Sequence, residues 1–261
     1  MRGFGELYRT SVGLGLGHLR RHGYSREAVI RIVVPLDPSR YLELPWALER
    51  LGARSGESVL DLASPKLLSV ALARRGVSVT ALDQLESEID TWRTLAEREP
   101  SLTFVVGDGR ALPFADGSFD HATSISVLEH IAGDGGDASA LGELARCVRP
   151  AGRVAITLPF ASKAWVEYRK DPTYVDHGER DAYGRAFFQR WYDENAVARL
   201  VDGVATLELI ESSVVRMQPN LNAAYNRTFP LLVPLGPVFG ILARERRGPG
   251  GDVVRIVLRR R

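Results

Sequence analysis

Between residues 58 and 158 short apolar runs alternate with stretches whose apolar positions recur every three or four residues. Ser58-Val-Leu-Asp-Leu62, Val77–Leu82, Leu102–Val106, Phe119–Ser124 and Arg153–Leu158 read as strands. Lys66–Arg75, Glu86–Glu97 and Ala138–Val148 read as helices between them, the first carrying Leu67, Leu68, Val70, Ala71 and Leu72. In the last helix Ala138, Leu141, Leu144, Ala145 and Val148 fall at near-helical spacing. Strands alternating with helices predict βαβ units and a mostly parallel sheet covered on both faces, an α/β architecture.

The flanks follow a different pattern. Residues 1–52 read as a helical N-terminal extension, with helices through Leu7–Arg20, Arg26–Val33 and Arg40–Leu51, punctuated by Pro35 and Pro38. The main domain is expected over 53–261. Within it, 160–200 is polar and aromatic and ends in a helix that Asp193 caps. Residues 205–216 and Val253–Leu258 read as strands, and the stretch 217–251 between them is too long for a simple loop.

Composition narrows the class without naming a function. Apolar residues make up 45% and charged residues 25%, which excludes disorder and a polytopic membrane protein. The single cysteine, Cys147, excludes an intramolecular disulfide and a cysteine-based zinc site, and no metal site is expected. No secretory apolar region forms near the N-terminus, so a cytoplasmic location is expected. The net charge of +2 is uneven, with basic segments at residues 1–31 and 242–261 around an acidic middle. Only three basic residues are lysine, a bias that reads as genomic composition, so no nucleic-acid partner is inferred.

Three acids fall at predicted strand ends: Asp61 inside the first, Asp83 after the second and Asp108 after the third. In a doubly wound sheet the ligand lies at the carboxyl ends of the strands, and an acid after the second strand suits ribose hydroxyls. A nucleoside site follows.

The runs Ser58-Val-Leu-Asp-Leu62, Val79-Thr-Ala-Leu-Asp83, Gly107-Asp-Gly-Arg-Ala-Leu-Pro-Phe-Ala-Asp-Gly-Ser-Phe-Asp120 and Ser124-Ile-Ser-Val-Leu-Glu-His-Ile131 resemble a class I S-adenosylmethionine-dependent methyltransferase of the small-molecule type 11 group. Leu144–Arg153 is similar to that family's helix and turn before strand five. The resemblance covers about residues 56–160. It implies a Rossmann-like seven-stranded sheet, S-adenosyl-L-methionine as cofactor and S-adenosyl-L-homocysteine as product. It also implies that Asp61 meets the methionine end, Asp83 the ribose, and Gln84 and Asp108 the adenine. Gly109 and Arg110 would then supply backbone contacts, and Ser124 and Ile125 would line the sulfonium.

The chain departs from the family in the loop after the first acid, Asp61-Leu-Ala-Ser-Pro-Lys66, where Ala63, Pro65 and Leu67 stand at positions usually held by glycine. Alanine still permits close backbone approach and proline fixes φ. The sequence predicts a stiffer version of the same turn, with Ser64 capping a helix that starts at Pro65 and Lys66 paired with the cofactor carboxylate. The alternative is a decayed pocket on a non-catalytic nucleoside-binding or scaffold protein. A nicotinamide dehydrogenase is disfavoured, because this loop provides no pyrophosphate cradle.

His130, just beyond strand four, and His177, beside Asp176, are candidate bases for an oxygen nucleophile. His177 lies in a segment, Lys163–Tyr192, that stands where the family places a substrate lid and also offers Tyr168, Tyr174 and Tyr183. Trp165, Phe187, Phe188 and Trp191 are expected mostly to pack on the sheet. The apolar, proline-broken segment 229–243 with Arg244, Arg246 and Arg247 is too short to span a bilayer. It suits core packing, a lipophilic acceptor or weak peripheral membrane contact through 229–247 at the inner face of the membrane. The expected acceptor is a small molecule, a saccharide of a cell-surface or natural-product pathway or a lipophilic ring; the oligomeric state is left open.

Overall fold

The computed structural model of the chain describes residues 2–37, 40–172, 174, 178–216 and 252–261. Its strands are β1 (Ser58–Leu62), β2 (Ser78–Asp83), β3 (Leu102–Val106), β4 (His121–Ile125) and β5 (Arg153–Pro159), then β6 (Trp165–Arg169), β7 (Ala186–Trp191), β8 (Leu207–Val215) and β9 (Val253–Arg260). Seven of them form one sheet in the order β3-β2-β1-β4-β5-β9-β8, with only β9 running against the rest. The mostly parallel α/β sheet expected from the alternation is therefore present. β6 and β7 form a separate two-stranded antiparallel ribbon.

The helices are α1 (Arg2–His22), α2 (Arg26–Val33), α3 (Leu44–Arg50), α4 (Leu67–Arg74), α5 (Glu86–Leu95), α6 (Gly136–Cys147) and α7 (Glu194–Asp202). Because side chains alternate across a strand, β1 sends Val59 to one core and Leu60 and Leu62 to the other. The first core gathers Leu7, Leu14, Leu36, Tyr41 and Leu44 with Leu68 and Leu72 of α4 and Trp92 of α5. Residues 1–52 thus share a core with the sheet. The second core packs Leu141 and Leu144 of α6 and Leu200 of α7 against Ile156, Ile256 and Leu258. Burial on both faces explains why β1 and β5 read as continuous apolar runs.

Asp193 caps α7 as expected, its Oδ1 accepting from Ala196 N at 2.8 Å. The hairpin departs from expectation. Trp165 and Trp191 do not pack on the main sheet: they stack on each other across β6 and β7, 5.7 Å between centroids, and Trp165 stays half exposed. His177, Asp176 and the stretch 217–251, with its apolar segment and trailing arginines, lie outside the described residues. Among the described residues no helix is long and apolar enough to cross a membrane.

Candidate active site

The strand order reverses between β1 and β4, and a cavity of about 420 Å³ opens there at the carboxyl ends of the strands. Its volume falls within the usual range for small-molecule sites. Three loops line it: Ala63, Ser64, Pro65, Lys66 and Leu67 after β1; Asp83, Gln84 and Leu85 at the end of β2; and Gly107, Asp108, Gly109 and Arg110 after β3. Ile125, Ser126, Val127 and His130 follow β4, and Glu88 and Trp92 of α5 close one side. Ten of the twelve cofactor candidates therefore face one space, all but Asp61 and Ser124.

Asp61 and Ser124 are fully buried beneath the lining. Asp61 accepts a hydrogen bond from Ser69 Oγ of α4 through Oδ2, while its Oδ1 has no partner among the described residues. Burial pushes its carboxyl pKa above the ordinary value, and the nearby Lys66 charge opposes that shift. Ser124 Oγ also has no partner among the described residues.

The loop after β1 keeps a backbone that glycine usually provides. Ala63 sits at φ +52°, in the left-handed region that costs a residue with a Cβ roughly 1–2 kcal/mol. The helix-cap expectation is corrected here. α4 begins at Leu67 rather than Pro65, and Ser64 Oγ instead accepts from Ile125 N at 2.9 Å, tying the loop to the end of β4. Lys66 has partners within the protein: its ammonium is 2.8 Å from Asp83 Oδ2 and donates to Ser64 O at 3.0 Å, the Lys66 and Asp83 side chains being buried. Asp83 Oδ1 accepts from Leu85 N at 3.0 Å. Since left-handed Ala63 is strained and glycine there is not, Ala63→Gly is expected to raise unfolding stability by about 0.5–1 kcal/mol. Urea denaturation checks it, and a loss of stability would show that the loop is unstrained.

Asp108 is engaged by Arg110 in two ways. The Arg110 amide donates to Oδ1 at 2.9 Å, and its guanidinium reaches Oδ2 at 2.7 Å. An added Cβ at Gly109 would meet Leu62 Cδ1 at 2.9 Å, so any side chain there would force Leu62 to shift.

The other end of the cavity is aromatic. Tyr174, Phe187 and Phe188 form its wall with Leu44 and Ile131, so Phe187 and Phe188 face the cavity instead of the sheet. His130 sits against them, 4.8 Å from the Tyr174 ring and 5.0 Å from that of Phe188. Its Nδ1 is 2.8 Å from the Phe188 carbonyl oxygen, which can only accept, so Nδ1 carries the proton and Nε2 the lone pair. Burial holds the imidazole below its ordinary pKa of 6.5.

Beneath this end lies a buried polar cluster absent from the sequence reading. Glu43 Oε1 accepts from the hydroxyls of Ser126 and Thr157, each at 2.6 Å, and its Oε2 pairs with Arg40 at 2.9 Å. Glu129 is buried beside them, its Oε2 without a partner among the described residues and its Oε1 3.8 Å from His130 Nε2.

Comparison with known proteins agrees with this geometry. Residues 60–156 match a family model described as a methyltransferase domain. A demethylmenaquinone methyltransferase of Corynebacterium kroppenstedtii is 31% identical over 174 residues, 62% of this chain and 72% of that protein. The chain belongs to the class I S-adenosylmethionine-dependent methyltransferases, type 11 group. A demethylmenaquinone methyltransferase of Beutenbergia cavernae is 38% identical over 122 residues, 46% of this chain, which spans about half (48%) of that relative's length. The fold is shared with Burkholderia thailandensis 1,6-didemethyltoxoflavin-N1-methyltransferase, solved with its acceptor and S-adenosylhomocysteine, at a TM-score of 0.53 and 19% identity over 97% of this chain and 87% of that one.

S-adenosylmethionine is the cofactor of this family, and the residues of this methyltransferase fit it. The cavity places a carboxylate at the end of β2, a buried ammonium beside it and an orphaned carboxylate oxygen on Asp61 below. What the sequence missed is the roof. Arg31, Pro35, Leu36, Asp37, Arg40 and Leu44 come from the N-terminal segment and line the same space. Pro35 marked a break in helix but gave no signal that the break folds over the strand ends.

Proposed function

We propose that the chain transfers a methyl group from S-adenosylmethionine to a hydroxylated, lipophilic aromatic ring of the quinol class. Bound at this site, the cofactor supplies an activated methyl on a sulfonium sulfur. Asp83 would take the ribose hydroxyls, Gln84 and Asp108 would hold the adenine with Gly109 and Arg110, and Ile125 would line the sulfonium end. The acceptor ring lies against Tyr174, Phe187 and Phe188, whose apolar faces suit a flat ring better than a saccharide. His130 Nε2 takes the proton of the acceptor hydroxyl, which raises electron density on the ring for attack on the methyl. Arg40, which also lines the cavity, favours the oxyanion that results.

The reading rests on one observation: the Nδ1 bond to Phe188 O fixes His130 with a basic Nε2 at the aromatic end of a cavity whose other end carries the nucleoside-type acids. The names of the demethylmenaquinone methyltransferases at 31–38% identity support the acceptor class. The experiment is methyl transfer from labelled S-adenosylmethionine to short-chain demethylmenaquinol, with a sugar panel alongside. His130→Gln is expected to lower kcat by about 10²–10⁴-fold with little change in S-adenosylhomocysteine affinity. Because burial keeps the imidazole neutral to below 6.5, the wild-type rate is expected to hold down to that pH and fall beneath it. Turnover of sugars but not quinols, or a His130→Gln enzyme with wild-type kcat, overturns the reading.

A further inference from the structure

Glu43 is the N-cap residue of α3, where Ser, Thr, Asp or Asn is the usual choice, and its side chain makes no capping hydrogen bond. The carboxylate turns inward instead. It is 1% exposed and takes donors from three separate parts of the chain. Ser126, just past β4, and Thr157 of β5 each donate to Oε1 at 2.6 Å, and Arg40 donates to Oε2 at 2.9 Å. The two hydroxyl distances fall in the range of bonds to an ionised acceptor, about 2.5–2.7 Å. A carboxylate enclosed in this way is fixed, and the groups bonded to it are fixed with it.

Neither Glu43 nor Thr157 lines the cavity, but Arg40 and Ser126 both do. A guanidinium carries five N–H donors. One of Arg40's reaches Glu43, and the others have no partner among the described residues. Ser126 holds φ +53°, a left-handed backbone that a residue with a Cβ keeps only where its surroundings over-determine it. Here they do: its amide donates to Thr157 Oγ1 at 3.0 Å and its hydroxyl to Glu43. A strained residue beside the cavity and a long cation tethered at one end, with donors open, thus depend on the same carboxylate.

We propose that Glu43 is the positioning residue of the acceptor end: it holds Arg40 so that fixed N–H donors meet an oxyanion on an aromatic acceptor ring. The inference rests on the acceptor reading above and adds to it the residue that orients the cation in advance, so that no reorganisation is left for the moment of reaction. Glu43 acts on such an anion in two opposed ways. Its charge offsets that of Arg40 and repels the anion, while its bonds keep the guanidinium in place. Thr157→Val separates the two, because it removes one bond to the carboxylate and alters no charge.

The probe is para-nitrophenol, whose anion absorbs visible light and whose neutral form does not. It is bound to the full chain with S-adenosylhomocysteine present, at the pH where free probe is half ionised. Wild type is expected to hold the anion over the neutral form at least tenfold. Arg40→Met is expected to bring that ratio near one, and Thr157→Val to less than threefold. Adding Thr157→Val to Arg40→Met is expected to change nothing further, since both act through one guanidinium. S-adenosylhomocysteine affinity, by calorimetry, is expected to stay within twofold in every variant, which also reports folding. A wild-type ratio near one, or no bound probe, overturns the proposal. So does a Thr157→Val protein that keeps the wild-type ratio, or one that loses probe and cofactor affinity in parallel, as a merely structural role would. If Thr157→Val does not fold, Ser126→Ala removes the other hydroxyl without changing a charge and decides on the same ratios. A wild type that selects the anion but methylates no quinol strikes the acceptor class and leaves the positioning of Arg40 standing.

Discussion

Asp83→Ala is expected to weaken S-adenosylhomocysteine binding at least tenfold and to lower the stability of the protein at the same time. Two separate losses combine. The ribose acceptor goes, and hydrogen bonds to a charged group are worth about 1.5–3 kcal/mol each. The Lys66 ammonium, 2.8 Å from Asp83 Oδ2 and almost wholly buried, is also left without its counter-charge. Breaking a buried pair by removing one partner costs about 3–5 kcal/mol. For a chain of this length that corresponds to a fall in Tm of roughly 6–15 °C. Asp83→Leu combined with Lys66→Met separates the two effects. Packing replaces the ion pair, so stability is expected to return toward wild type while binding stays lost. Unchanged affinity in Asp83→Ala, measured by calorimetry, would sink the assignment of the β2 carboxylate to the cofactor.

The same residue shows what can be read from a chain before its structure is known. Asp83 and the strand before it were legible because a buried parallel strand is a continuous apolar run and its end is marked by the first charge. β1 and β3 were bounded to the residue as well, β1 as a buried apolar run and β3, an edge strand, by its β-branched and aromatic residues Thr103 to Val106 before Gly107. The β6–β7 hairpin was not, because Trp165, Val166 and Tyr168 sit on a ribbon that buries neither face fully, so no alternation of apolar and polar residues forms. Ala63 hid its left-handed backbone, since glycine is the usual signal for that conformation and alanine gives none. Lys66 was assigned to the cavity from its position, but its partner came from β2, seventeen residues away, and nothing local encodes that meeting. The roof was hidden for the same reason. Arg40 and Glu43 reach the site only because the segment before α3 folds across the ends of β4 and β5, where Glu43 meets Ser126 and Thr157.

Next to that fold-over sits a buried carboxyl with a pH consequence of its own. Glu129 lies beneath the aromatic end of the cavity, and burial, with Glu43 nearby and Arg40 only partly offsetting both, pushes its pKa up to about 8 from an ordinary 4.5. His130, Tyr174 and Tyr192 are the other titratable groups in its surroundings. Between pH 4.5 and 8 the folded protein holds a proton on Glu129 that the unfolded chain has released. The stability linked to this group is therefore complete below pH 4.5 and is lost as pH rises through 8. Glu129→Gln keeps the shape and cannot ionise. Relative to wild type it is expected to be about equally stable at pH 4.5 and more stable, on the order of 5 kcal/mol, at pH 8.5. His130 shifts in the opposite sense, its lowered pKa costing stability as pH falls below 6.5, but it is present in both proteins and drops out of the difference. The neutral acid also bears on the chemistry. With no anion beside Nε2 below pH 8, nothing from Glu129 raises the affinity of His130 for protons, and the imidazole stays available as a base at neutral pH. Urea unfolding of both proteins from pH 4.5 to 8.5 decides the matter: parallel stability curves across that range would mean that Glu129 ionises normally in the folded state.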